Sequence, residues 1–207
     1  MEELLTESEV FEDALRALLA VDYFVVDESN PRFVACAHAC LLSVEHAGSV
    51  RAAFAIGAPN SGAALLRLQF EALVRAAWVL YAASDLHASK LVSPLSIEAE
   101  QQAKNLPGTN EMLDSLALKA PAGLVAPLQQ FKAVSWKALN SFVHSGIHPL
   151  KRVGDGFPTV LGEQIVRNSN GLMHFGYRML ASLSGSQALM NEVTHSYRRF
   201  ERCLPME

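Results

Sequence analysis

The sequence predicts an all-α fold, a single helical bundle of about six to eight helices over residues 1–207 with a long antiparallel hairpin, 31–83, at its centre. Three observations predict it. Apolar residues recur at spacings of three and four almost throughout, and no stretch alternates polar with apolar as a half-buried strand would. Half of the 207 residues are hydrophobic, which excludes a disordered chain and supplies a core without disulfide or metal staples. Cap and turn residues also punctuate the chain at helix-length intervals.

Each element follows from its own signals. Thr6 and Glu9 form a T-x-x-E capping box that starts helix one, with Val10, Leu15, Leu18 and Leu19 on its apolar face. Asn30 is the N-cap of helix two and Pro31 its first helical residue, because proline lacks only an N–H that would be unpaired there. This helix reaches about Ile56, with Gly48 as a weak point inside it. The run GAPNSG (57–62) is a tight turn, and helix three follows from about Asn60 to Ala83. A short helix covers Ile97–Lys104, NLPGTN (105–110) breaks it, and helix pieces lie near 110–119. The next helix runs from about Leu124 to Ser145, where Gly146 ends it and Pro149 prevents continuation. Residues 147–158 read as a long irregular loop, and helices at about 159–183 and 186–203 complete the chain.

Charge and cysteine usage bound the partners. The net charge of −4 offers no basic excess, so nucleic acid is not an expected partner. The first twenty residues carry acids where a secretory signal would carry bases, and no small-residue cleavage site follows. The apolar stretch Ala63–Ala83 contains Arg67, Glu71 and Arg75, each costing about 2.5–3.5 kcal/mol at a bilayer centre, so no membrane is expected. Cys36 and Cys40 share a helix face and Cys203 stands apart. An odd count without a framework fits buried thiols in a reducing cytoplasm, the expected location.

Two polar constellations interrupt the apolar helices. Arg67, Glu71 and Arg75 recur at i, i+4 and i+8, a spacing that stacks them on one stripe and permits Arg–Glu–Arg pairing. With the turn centred between Ala58 and Pro59, antiparallel register sets Glu45 and His46 level with Glu71 and Ala72. A solvated, ion-paired face is the plain alternative; a semi-buried cluster would be costly unless fully hydrogen-bonded or used. In the second constellation, Asn140 and His144 follow Trp136 at i+4 and i+8, with His148, Lys151 and Arg152 just beyond. His144 lies in a last helical turn, where the dipole favours imidazolium, although a satisfied core histidine is the ordinary alternative. A metal site from Glu45, His46, Glu71 and His144 is disfavoured because Arg67 and Arg75 neutralise the carboxylates it would need. No metal and no cofactor are expected. Walker, G-x-G-x-x-G, H-E-x-x-H, C-x-x-C and G-x-S-x-G motifs are absent from the sequence.

The runs SVEHA (43–47), LLRLQFEALVRAAWVL (65–80) and WKALNSFVHSGIHPLKR (136–152) resemble the signature blocks of an uncharacterised family of bacterial all-helical proteins, a domain of unknown function, over about residues 5–185. The resemblance implies pattern positions at Glu45, His46, Arg67, Glu71, Arg75, Trp78, Asn140, His144, Gly146 and Arg152, with a departure at Ala76, where that family commonly has glycine. It implies a helical bundle and no established activity. That bundle type is distantly similar to the higher-eukaryote-and-prokaryote nucleotide-binding superfamily, many of whose members are ribonucleases with an Arg-x(4–6)-His motif across a dimer. Arg167 with His174, and Arg32 with His38, fit the spacing, though composition alone produces such pairs at about this frequency. In that reading Arg167 stabilises charge and His174 is the general acid/base.

The sequence therefore favours a non-catalytic binding or regulatory module whose polar cluster, Glu45, His46, Arg67, Glu71, Arg75, Asn140, His144 and Arg152, is either structural or holds a small anionic ligand. The Ala-rich faces at Ala52, Ala53, Ala63, Ala64, Ala76 and Ala77 allow close packing within or between subunits, and a homo-oligomer, with a dimer favoured, is expected. The alternatives are a ribonuclease-like toxin or defence protein and a metal-dependent enzyme in the bundle core.

Overall fold

Asn30 and Pro31 set the start of the central helix. The Asn30 side chain accepts the Arg32 backbone N–H at 3.1 Å, and α2 runs Pro31–Ala55. In the computed structural model, which describes residues 1–21 and 26–205, Gly57 turns the chain with a φ of 76° and the Ala58 N–H closes on the Ala53 carbonyl at 2.8 Å. Pro59 opens α3, Pro59–Tyr81, which returns antiparallel along α2.

This hairpin is the centre of the bundle. The other helices are α1 (Glu2–Val21), α4 (Asp85–Val92), α5 (Ile97–Ala103), α6 (Thr109–Lys119), α7 (Ala122–Val143), α8 (Ile147–Asp155), α9 (Thr159–Leu183) and α10 (Gln187–Arg199). The fold is all-α: ten α-helices and no strand occur among the described residues. Helices α4 and α9 pack on α2; α6, α7 and α9 pack on α3; and α1 and α10 lie on α9. One hydrophobic cluster extends from Leu4 to Leu204, with Phe11, Leu15, Phe70, Leu73, Met173 and Leu180 fully enclosed. Among the described residues only α2 is long and apolar enough to cross a membrane by composition, and it is packed on α3, α4 and α9.

Most polar side chains inside this cluster are hydrogen-bonded; Asn170 Oδ1 is buried without a partner. The Ser43 hydroxyl donates to the Gln69 carbonyl at 3.1 Å, the Gln69 amide donates to the Ser169 carbonyl at 2.8 Å, and the Ser169 hydroxyl donates back to Gln69 Oε1 at 2.6 Å. The three bonds tie α2, α3 and α9 together. On the far side, Asn170 donates to Ser8 Oγ at 2.7 Å and to the Cys203 carbonyl at 2.8 Å.

Four local expectations are corrected. Helix α1 begins at Glu2 rather than at Thr6, whose hydroxyl instead bonds back to the Glu2 carbonyl; burial of Leu4 draws the first turn into the helix. Helix α4 is additional, and its signals were present: Ser84 accepts the His87 N–H, Asp85 sits in the first turn and Lys90 in the last. Most of residues 147–158 is helix α8 rather than irregular loop. Pro149, read as a stop, sits in the first turn of the next helix, where its missing N–H costs nothing, and Ser141 Oγ accepts the His148 N–H at 3.0 Å. Ser145, at φ 52°, makes the left-handed bend between α7 and α8, and Gly146 is needed for close approach, because a Cβ there would stand 2.6 Å from Ser141 Oγ. These additions raise the helix count above the six to eight expected.

Register is corrected too. Ser43 meets Gln69, about five positions earlier in α3 than the expected turn centre places it, because α2 stops at Ala55 and Gly57, not Ala58–Pro59, is the pivot. The Ala-rich faces are largely used within the chain: Ala53, Ala63, Ala76 and Ala77 are buried, Ala64 is half-buried and Ala52 is exposed.

Candidate functional site

The charged stripe of α3 faces a groove of about 900 Å³ between α2, α3 and α6. One face of α2 forms the opposite wall, with His38, Ala39, Leu42 and His46 at the spacing that aligns residues along a helix. Leu91 of α4, Thr109 and Glu111 of α6, and Trp136 of α7 complete the lining.

Arg67 is committed within the protein. Its Nη2 donates to Glu71 Oε1 at 2.9 Å, its Nη1 donates to Asn140 Oδ1, and its guanidinium lies 4.3 Å from the centre of the Trp136 ring. Glu71 is engaged as well, accepting the Thr109 hydroxyl at 3.3 Å. The pair is only partly shielded, with side-chain exposures of 12% for Arg67 and 31% for Glu71, so it lies between a buried ion pair and a solvated one.

Arg75 differs. Its Nη1 is buried and has no hydrogen-bond partner, as is Arg67 Nε. Burial draws the Arg75 pKa down, and the charge of Glu71, already shared between Arg67 and Thr109, counters this only in part. The Trp78 ring centre is 6.0 Å from its guanidinium carbon. Burial likewise lowers the pKa of His46, partly offset by the charge of Glu45.

The structure brings together His46, Arg67, Glu71 and Arg75, with Asn140 reaching Arg67 from α7. Glu45, His144 and Arg152 are not in this groove. Adjacent helix positions point about 100° apart, so Glu45 and His46 cannot both face α3; Glu45 is exposed beside Arg16 and Tyr177. Phe131 stacks on Phe70 and Trp136 on Arg67, so α7 runs antiparallel to α3 and carries His144 toward the hairpin turn, away from Arg75. His144 is exposed at the α7 C-cap, and Arg152 sits on α8 with Nε buried and unpaired. Thr109, Leu42, Leu68 and Leu91 were not anticipated, and His38, singled out only as the partner of Arg32, belongs to the groove instead. His38 was findable, since it lies two helical turns before His46 on the same face. Among the described residues no group of three or more His, Cys, Asp and Glu side chains is placed to hold a metal.

Neither arginine–histidine pair forms an open site within the chain. His174 is buried between Phe11 and Tyr197, and its Nε2 donates to the Val193 carbonyl at 2.7 Å, which fixes the tautomer. Burial, with a smaller contribution from the Arg178 charge, lowers its pKa to about 4. Arg167 donates to the Arg202 carbonyl. Arg32 is held by the Val79 carbonyl at 2.5 Å and by Asp85 at 2.6 Å, while His38 opens onto the groove.

The profile of a family described as "Family of unknown function (DUF6988)" matches residues 40–206. The chain belongs to this family. An uncharacterised all-helical family is what the three sequence blocks implied, although the DUF6988 match starts later and ends later than the resemblance over 5–185. It spans the whole α3 stripe and His46, whereas His38 and the first turns of α2 precede it. No curated protein and no solved structure matches this DUF6988 chain.

Proposed function

We propose that this protein is a non-catalytic binding module whose groove holds a small anion at Arg75. One observation carries the reading: Arg75 lines the groove with no acceptor on its guanidinium, its inner Nη1 being buried and unpaired, while Glu71 is bonded to Arg67 and Thr109. An anion there would supply a charge-assisted hydrogen bond in a partly dry cleft. The one hydroxyl in the groove lining, Thr109, donates to Glu71 rather than pairing with a histidine base, which favours binding over covalent chemistry.

Thermal unfolding of the full chain across an anion panel tests this. A ligand at a hundredfold excess over Kd is expected to raise Tm by about 5–11 °C for a chain of this size. Arg75→Ala is expected to abolish the shift. An unchanged Tm with every anion, or an equal shift in Arg75→Ala, would overturn the reading.

The proposal extends to a homodimer. Ile56, Ile147, Leu150, Val153 and Val160 are each at least two-thirds exposed. Ring contacts of Phe157 with Phe54 and Phe142, and of Phe142 with His148, gather their parent segments at one end of the bundle. Light scattering is expected to give twice the chain mass for the wild type and the single-chain mass for Leu150→Asp/Val153→Asp. A monomeric wild type would remove this part of the proposal.

A further inference from the structure

We infer that the anion is an amphiphilic monocarboxylate, its carboxylate on Arg75 and its apolar body along Ala39, Leu42, Leu68, Ala72 and Leu91. This rests on the reading of the groove as an anion site and goes on to name the class of ligand.

The charges facing the groove argue for one negative charge rather than two. Arg67 and Glu71 neutralise each other at 2.9 Å, which leaves Arg75 and the two histidines against Glu111. His46 is half-buried, and its burial favours the neutral ring. A dianionic phosphate would bring a second charge toward Glu71 and Glu111 with no cation left to pair it, a costly arrangement away from water. At the N-terminus of α6, where a phosphate would otherwise be held, the Glu111 carboxylate stands instead, its Oε2 accepting the Gly108 N–H at 2.9 Å, and its charge opposes a dianion there.

The walls argue for an apolar body. Between the cationic positions the α2 and α3 faces present alanine and leucine, and Leu42 and Leu68 stand 45% and 38% exposed. An ion as small as acetate would leave these side chains in water and most of the 900 Å³ unfilled. A chain of several methylenes covers them and gains affinity with each one buried.

Isothermal titration of the full chain with octanoate, acetate, octanol and inorganic phosphate tests the inference. Octanoate is expected to bind at least about tenfold more tightly than each of the other three. Arg75→Gln is expected to weaken octanoate by about tenfold or more, and Leu42→Asn/Leu68→Asn to weaken octanoate while leaving acetate unchanged. Phosphate or acetate binding as tightly as octanoate, through Arg75, would overturn the ligand class and leave the anion site standing. Octanol matching octanoate, or octanoate indifferent to Arg75→Gln, would overturn the carboxylate contact. Failure of every anion to bind would remove the anion site and this inference together.

Discussion

An Arg51→Ala variant is expected to lose about 3–5 kcal/mol of folding stability, the loss typical of stranding one member of a buried ion pair. Arg51 and Glu12 are nearly enclosed, with side-chain exposures of 9% and 4%. The Arg51 Nη2 donates to Glu12 Oε2, and its Nη1 lies 3.7 Å from Met173 Sδ. The second Glu12 oxygen accepts Arg16 Nε at 2.9 Å, but Arg16 is mostly in solvent and cannot by itself compensate a carboxylate lodged among α1, α2 and α9. Burial pushes the neighbouring Tyr177 hydroxyl up to about 12, and the Glu12 charge adds to the effect. Urea denaturation measures the loss. The paired replacement Glu12→Leu/Arg51→Met should recover most of it, since apolar pairs of similar volume often match a buried ion pair. A loss below about 1 kcal/mol in Arg51→Ala would mean water reaches Glu12.

The second large effect is on pH dependence. His174 has a pKa of about 4 in the folded chain against 6.5 for an unperturbed histidine, because burial disfavours the imidazolium. The unfolded chain therefore binds the extra proton first as pH falls. Stability from the neutral ring is complete above about pH 6.5 and is lost as pH drops toward 4, about 3 kcal/mol in all. Unfolding free energies at pH 7, 5.5 and 4 should fall accordingly in the wild type. His174→Gln, which starts from a lower stability, should show a shallower fall over the same range. Parallel slopes for the two proteins would show that His174 does not titrate in this window.

The particulars that were legible in the sequence are those written in local chemistry. Asn30 and Pro31 fixed the start of the hairpin because each acts within a few residues, through a cap or a missing N–H, and the run 57–62 marked its turn without showing that Gly57 is the pivot. The Arg67–Glu71–Arg75 stripe was visible for the same reason, since i, i+4 spacing places groups on one face whatever the tertiary context. What escaped depends on the approach of distant helices. Glu12 and Arg51 are 39 residues apart and look like ordinary surface charges until α1 closes over α2. His144 continued the α7 stripe correctly, but the direction of α7 against α3 carried it out of the groove. Pro149 reads equally as the stop of one helix or the first turn of the next, an ambiguity that the residue type cannot resolve; it serves the second.

The Gln69 seam bears on something other than strength. Each of its hydrogen bonds adds only about 0.5–1.5 kcal/mol net in the native arrangement, because water offered the same partners in the unfolded chain. Rotating α3 by one residue, or sliding it by one turn, would instead leave an amide, a hydroxyl and backbone carbonyls unpaired in a dry interior, at about 1–3 kcal/mol apiece. The seam thus discriminates between packings far more than it stabilises one. Gln69 sits two residues after Arg67 and two before Glu71, so the bond that holds it against Ser169 also sets which way the charged stripe faces. The uniqueness of the groove, with Arg67, Glu71 and Arg75 all turned into one cleft, is inherited from a neutral amide on the opposite side of the same helix.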